Sequence, residues 1–379
     1  MTKETESVPL EHIVDSVDSS FKIYKKPELK SFEPPKDGDI LRRLKDRSSD
    51  QAKGFEIKRV KTADGVEHLQ IIEGKETKNF TVEMVEGPED PNLKSLYTLM
   101  EQTFKPEDMQ TFESVQDCTV GKSYGVECLR NTQYFVIKEG GEVVSALSGF
   151  LADLRDQNDQ ATGEDVFLLG YAVTKENMRK YGLAREAYIK ALEFILNDAK
   201  NKNSKIIGVA GECTWTSEHF WNRVGLNRIY IKGDDFDFRE LEYVHPPLDY
   251  DTISGEKNPE TDEGPEHLMV HMFNPADEKG PEFAKRLGSI VNGFNRWGSY
   301  IPKEAFKGTS GAYTKHVESI RAYEDKFIAQ LEDAQELTLM PRAARKAFLK
   351  GGVEVRTFLT DPRELEETVV RRQINSDTL

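Results

Sequence analysis

One stretch limits the possible folds more than any other. Residues 165–173, DVFLLGYAV, and residues 204–212, SKIIGVAGE, are two nearly unbroken apolar runs. Runs without alternation suit strands covered on both faces. Between them the apolar residues change period. Leu183, Ala187, Ala191, Leu192, Ile195 and Leu196 fall on one side of a long helix, as the 3.6-residue repeat requires. A strand, a crossover helix and a second strand predict two neighbouring parallel strands with the helix packed on the sheet. The rest of the chain has to be arranged around that unit.

The flanking segments supply antiparallel strands. FTVEMV (80–85) alternates as a strand. Asp90-Pro91-Asn92 reads as a helix start, with Leu93, Leu96, Leu99 and Met100 on the buried side. QYFVIKEGGEVVSALSGFLAD predicts a hairpin around Gly140-Gly141. SEHFWNRV is a short helix that Gly225 ends, NRIYIKG is a strand, and HLMVHMF (267–273) is the last strand. The predicted fold is mixed α/β: a mostly antiparallel sheet with a central parallel pair and flanking helices, plus a helical C-terminal region. Residues 79–274 form its main domain. Residues 1–78 are polar and carry Pro27, Pro34 and Pro35. They read as an extension packed on the main domain, with FEIKRV and EHLQIIEG as short strands around Asp64-Gly65. After residue 275 the strands are expected to stop, and 275–379 reads as helices, with no internal repeat.

Charge and cysteine content narrow the function. The 379 residues carry a formal net charge of −15, which disfavours nucleic acid and anionic membrane as partners. Such a surface suits a cationic or neutral substrate, or serves solubility alone. Three cysteines, Cys118, Cys128 and Cys213, make no disulfide framework, and no Cys-x-x-Cys pair suggests a structural metal. His267 and His271 share a strand face without the makings of a metal site. The first residues lack an apolar stretch, and no run of about 18 apolar residues occurs. A reducing cytoplasm is the expected location.

The turn at 179–184 is where chemistry enters. It opens the long helix, whose unpaired N–H groups and partial positive charge suit a phosphate. Gly182 lets the backbone approach a ligand, and Arg179, Lys180 and Arg185 add positive charge. Here the chain resembles the GNAT acyltransferase family, whose motif Arg/Gln-x-x-Gly-x-Gly/Ala reads Arg179-Lys180-Tyr181-Gly182-Leu183-Ala184. A second block resembles the family's aromatic-Tyr-x-x-x-Gly-Phe, as Phe220-Trp221-Asn222-Arg223-Val224-Gly225-Leu226. The resemblance spans roughly residues 79–274. It implies acetyl-CoA or another acyl-CoA as co-substrate, a pyrophosphate held at 179–184, and pantetheine along Tyr171, Ala172 and Val173 at a splayed end of the parallel pair. Thr214 stands where a polar residue contacts the pantetheine side. The implied acceptor is a small-molecule or peptide amine.

The departures from the family are specific. Thr174 stands where a Val is usual and no Pro follows, which makes the loop one residue longer. The frequent catalytic Tyr falls on Trp221, which has no acidic proton to give. Glu212, ending its buried strand, is the candidate base, or else a buried carboxylate that pairs with a loop donor or caps the next helix. Tyr230 is a substitute acid, and Cys213 is a proton donor or a small buried residue. Trp215 and Trp221 are expected to pack the pocket wall. Glu164 and Asp165 lie at the wrong end of their strand and are expected in solvent. The acidic loop 232–265 either borders the acceptor or is solvated, and the basic stretch 341–352 reads as a solvated helix face. Three functions remain open: acetyl transfer to an amine, coenzyme or partner binding without transfer, and another acyl-CoA reaction.

Overall fold

A computed structural model describes residues 38–356, apart from residues 46–53, 63–66, 124–125, 128–130, 157–159, 203, 215, 234–236, 248–249, 259–264, 279, 308–309 and 351–354. The expected turn at Asp64-Gly65, the prolines near the N-terminus, Cys128 and Trp215 lie outside the described residues. At the centre are β8 (Ala161–Thr174) and β9 (Lys205–Cys213), parallel from Glu164↔Lys205 to Leu169↔Gly211. Helix α4 (Leu183–Lys202) makes the crossover. Its Leu183, Ala187, Tyr188, Leu192 and Ile195 are buried against Phe135, Phe167, Ile206 and Val209. The period change read in the sequence is therefore a change from sheet to sheet-covering helix.

The antiparallel part extends to both sides. One side carries β7 (Glu142–Arg155), β6 (Gln133–Glu139), β3 (Glu76–Met84), β2 (Glu67–Glu73) and β1 (Phe55–Lys61). Gly140 and Gly141, at φ 60° and 89°, turn β6 into β7, as a tight hairpin requires. The other side carries β13 (Pro265–Met272), β10 (Asn227–Lys232) and β11 (Phe238–Glu240), with β12 (Tyr243–Val244) paired on β13. In a separate two-stranded pair, β4 (Lys122–Ser123) meets β5 (Val126–Glu127). Helix α1 (Gly38–Lys45) adds Ile40 and Leu44 to the core on the α4 side. Helix α2 (Pro91–Glu101) starts as expected: Asp90 Oδ1 accepts from the Asn92 amide at 2.8 Å. Helix α3 (Phe112–Thr119) is capped in the same way by Thr111.

Two helical layers sandwich the sheet. Opposite α4, helices α6 (Gly280–Phe294) and α7 (Ser310–Glu332) bury Phe283, Leu287, Ile290 and Phe327 against Leu168, Ile207, Leu268 and Val270. The strands do not stop at 275. β14 (Glu336–Met340) pairs with β10, and β15 (Val355–Arg356) pairs with β11. ELTLM is only five residues long and sits between helices, so its alternation has little length in which to show. Helix α8 (Arg342–Lys350) follows it, and Arg345 on that helix is 1% exposed. The basic stretch is therefore not purely a solvated face. Its buried guanidinium meets Glu218 on the short helix α5 (Glu218–Arg223).

Candidate active site

The central strands part company. Leu169↔Gly211 is the last pair joining β8 to β9. Beyond it β8 stays with β7 (Ala172↔Leu147, Val173↔Ala146), while β9 stays with β13 (Glu212↔Leu268, Cys213↔His267). The backbones of 170–173 and 212–213 thus form two walls of a gap. A bulge on β8 helps to open it. Pairing steps from Leu147↔Ala172 to Gly149↔Leu169, so Gly170 and Tyr171 both oppose Ser148. Ser148 Oγ accepts from the Tyr171 amide at 2.8 Å. Gly170 is exposed at that point of an otherwise buried strand. The Tyr171 hydroxyl reaches the loop ahead of α3: it accepts from the Gln110 amide at 3.1 Å and donates to the Asp108 carbonyl at 3.4 Å.

The turn that follows ends in a left-handed residue. After β8 a 3-10 turn, Glu176–Tyr181, leads to Gly182 at φ 68°, a region that glycine enters at little cost. The Gly182 carbonyl takes the Arg185 and Glu186 amides at 3.1 and 3.3 Å. Leu183 and Ala184 open α4, where a helix has no internal acceptor for its amides. The side chains around the turn are braced by the N-terminal segment. Lys180 Nζ lies 2.9 Å from both Glu73 oxygens, and the Tyr181 hydroxyl donates to Glu73 at 3.0 Å. Arg185 donates to the Arg43 carbonyl at 3.3 Å. Arg179 is exposed, with Nε 3.4 Å from the Thr174 carbonyl. Sequence reasoning found the turn and missed Glu73, an anion beside the proposed phosphate cradle.

Glu212 lies on the α6/α7 side of the sheet, across from Leu268. The Tyr243 hydroxyl donates to Glu212 Oε1, and His245 Nε2 is 3.7 Å from Oε2. Glu266 pairs with Tyr243 and so shares this face. Burial pushes the Glu212 carboxyl up to about 7, against the hydrogen bond from Tyr243. Glu266 also rises to about 7, first through burial and then through the negative charge of Glu212. Burial lowers His245, which favours the neutral imidazole. Tyr243 and His245 lie within the acidic stretch 232–265 and Glu266 directly follows it, and none of the three was given a role from the sequence. One signal was available: in PEHLMVHM, Glu266 keeps step with Leu268, Val270 and Met272, so a carboxylate sits in the phase of an apolar face.

Other sequence candidates are placed differently. Tyr230 is not brought to Glu212. It is fully buried on the opposite face, in register with Glu240, and its hydroxyl accepts from Arg345 at 3.4 Å. Burial pushes that phenol up to about 12. Cys213 is buried on the same side as Tyr230, and burial raises its thiol. Thr214, at the rim of the gap, uses its carbonyl to take the Ser217 and Glu218 amides at 3.1 and 3.2 Å. Trp221 is 4% exposed and packs in the α4-side core. Glu164 and Asp165 are not in solvent as expected. Asp165 is 1% exposed, and Glu164 holds Lys205 and Arg286. Within the acidic loop, Asp234 and Asp235 lie outside the described residues, while Glu240 is buried and bonds Arg228 and His267. His271 shares that face with His267 and reaches the Gly225 carbonyl at 3.0 Å. Among the described residues no group of three or more His, Cys, Asp or Glu could hold a metal ion. Among them, too, no helix is long and apolar enough to cross a membrane.

A mostly antiparallel sheet whose parallel strands β8 and β9 splay apart ahead of the turn at 179–184 is the arrangement that the sequence resemblance implied. Across residues 76–272 the mixed α/β sheet with its splayed parallel pair and flanking helices agrees with the GNAT-like architecture expected from the sequence. No family model matches the chain, and no curated protein matches it. Solved structures do. Arabidopsis thaliana NAA60 in complex with acetyl-CoA is 12% identical, covering 51% of this chain and 98% of its own, at a TM-score of 0.32. An aminoglycoside 6'-N-acetyltransferase complexed with coenzyme A is 13% identical, with 51% and 98% covered and a TM-score of 0.30. The ribosomal-protein-S18-alanine N-acetyltransferase from Escherichia coli is 11% identical, with 52% and 94% covered and a TM-score of 0.28.

Proposed function

We propose that this protein is an acyl-CoA-dependent N-acyltransferase, most simply transferring acetyl from acetyl-CoA to a small-molecule or peptide amine. One observation carries the reading: the two parallel strands diverge past Leu169↔Gly211, and the gap opens beside a helix N-terminus preceded by Gly182 at φ 68°. Backbone groups of Tyr171, Ala172 and Val173 would line the pantetheine, with Thr214 at the rim. The turn from Arg179, Lys180 and Tyr181 through Gly182, Leu183 and Ala184 would hold the pyrophosphate. Glu212, at the end of the other wall, takes a proton from the acceptor so that nitrogen can attack the thioester carbonyl. We place the protein in the cytoplasm, where its buried free thiols Cys118 and Cys213 would stay reduced.

A second reading is favoured by Trp221, which is buried where the family commonly has a tyrosine. It keeps coenzyme or partner binding and drops transfer. Release of free thiol from acetyl-CoA, followed against a panel of polyamines, aminoglycosides and peptide N-termini, separates the two. The transferase reading expects amine-dependent turnover that Glu212→Gln cuts by about 100-fold or more. Binding of acetyl-CoA with no thiol release from any amine would leave the binding module.

A further inference from the structure

We propose that the acceptor's proton is taken by a carboxylate pair, Glu212 with Glu266, and that Tyr243 is the positioning residue that orients Glu212 within it. This rests on the transferase reading of the same site.

Three neighbouring strands bring the groups together. Glu212 on β9 opposes Leu268 on β13, and Glu266 stands two residues before Leu268. Residues two apart on a strand share a face. Glu212 and Glu266 are therefore diagonal neighbours, with backbones roughly 7–8 Å apart, a span that long side chains bridge. On the other side of β13, Tyr243 opposes Glu266, and its hydroxyl crosses over to donate to Glu212 Oε1. That bond fixes one oxygen of Glu212 and leaves Oε2 on the side of His245. The Glu212 side chain keeps 18% of its surface exposed, so a substrate can reach it.

The surroundings supply little positive charge. Among the described residues, the groups acting on the pair are Tyr243 and His245 from the segment before β13 and Asp108 from the loop ahead of α3, with no lysine or arginine. Glu324 on α7 acts on Tyr243, and Cys213 faces the other side of the sheet. Two half-buried carboxylates side by side with no strong cation disfavour double ionisation. A pair holding one proton carries one negative charge, which matches a single ammonium. The acceptor ammonium gives one proton to the pair. Its nitrogen then forms the C–N bond at the thioester carbon, the C–S bond breaks, and the second nitrogen proton passes to the departing thiolate. When the pair resets, one proton goes to solvent, which balances amide, thiol and proton against ammonium and thioester.

A merely structural acidic pair would shift in titration but leave the acid limb of kcat/KM where it is, so the two readouts are taken together. Tyr243→Phe removes a bond that favours ionised Glu212, so its titration moves up. Glu266→Gln removes a neighbouring negative charge, so the titration of Glu212 moves down. Each shift should be about 1 pH unit. The test is a 13C-carboxyl NMR titration of the full chain labelled on glutamate, with Glu212→Gln and Glu266→Gln as assignments. The acid limb of kcat/KM, with acetyl-CoA and the best amine of the panel, should move the same way. Glu266→Asp should restore the limb towards the original. Independent titration of either carboxyl near 4.5, or shifts of one sign in both variants, overturns the pair while leaving the transferase reading intact. Coupled titration in a protein that does not bind acetyl-CoA sinks that reading and the proposal with it.

Discussion

The two faces of the sheet, at the strands β9, β13 and β10, treat buried charge in opposite ways. On one face Arg228 holds Glu218 and Glu240 at 2.6 and 3.2 Å, Arg345 holds Glu218 at 3.1 Å, and His267 lies 2.6 Å from Glu240. Two guanidinium groups answer two carboxylates, all nearly closed to solvent. On the other face Glu212 and Glu266 share a half-buried site with a phenol and a neutral imidazole. Matched charge locks elements together, here α5, α8 and the sheet. Unmatched carboxylates near neutrality instead keep a proton available, at some cost in stability. That contrast is why we assign the first cluster to folding and the second to chemistry.

The contrast can be broken by substitution. The largest effect should come from Arg228→Ala. It leaves Glu218 and Glu240 buried with less countercharge, so unfolding should become easier by about 3–5 kcal/mol, read by denaturant titration. An unchanged midpoint would mean that the network holds nothing. Glu212→Gln should do the reverse. Thiol release should fall by about 100- to 10,000-fold, with acetyl-CoA affinity unchanged and no loss of stability.

A pH series sharpens the same comparison. The folded carboxyls of Glu212 and Glu266 titrate near 7, above their ordinary range. The folded state therefore binds more protons than the unfolded state, and this contribution favours folding at low pH. It is lost as pH rises from about 4.5 through about 7. Glu212→Gln should thus gain on the parent protein across that window, by about 3 kcal/mol above pH 7. Equal pH dependence in the two proteins would place Glu212 among ordinary carboxylates. The smallest effect belongs to Glu73, which holds Lys180 beside the proposed phosphate cradle. Glu73→Gln should raise coenzyme A affinity by about 2- to 5-fold at low salt, and less at high salt.

How much of this was legible depends on whether the determinant is local. Asp90 as a cap, Gly140-Gly141 as a hairpin turn and Gly182 as a helix entry are all dictated by neighbouring residues, and each could be read directly. The end position of Glu212 followed from its apolar strand. Which face a residue occupies was harder. Arg228, Ile229, Tyr230 and Ile231 are all buried, so NRIYIKG shows no alternation, and nothing local says that Tyr230 points away from Glu212. Tyr243 and Glu266 meet only because β12 folds back on β13 across the long loop, and long-range pairing leaves little trace in either segment. Glu73 and Lys180 are distant in sequence, and β14 was hidden by its brevity.

The central claim is that the gap between β8 and β9 holds an acyl-CoA. Calorimetric titration of acetyl-CoA into the full chain tests it directly. We expect one site per chain, kept in Glu212→Gln and lost in Gly182→Pro, because proline cannot take φ 68°. No binding to the parent protein, or undiminished binding by a folded Gly182→Pro variant, would contradict it.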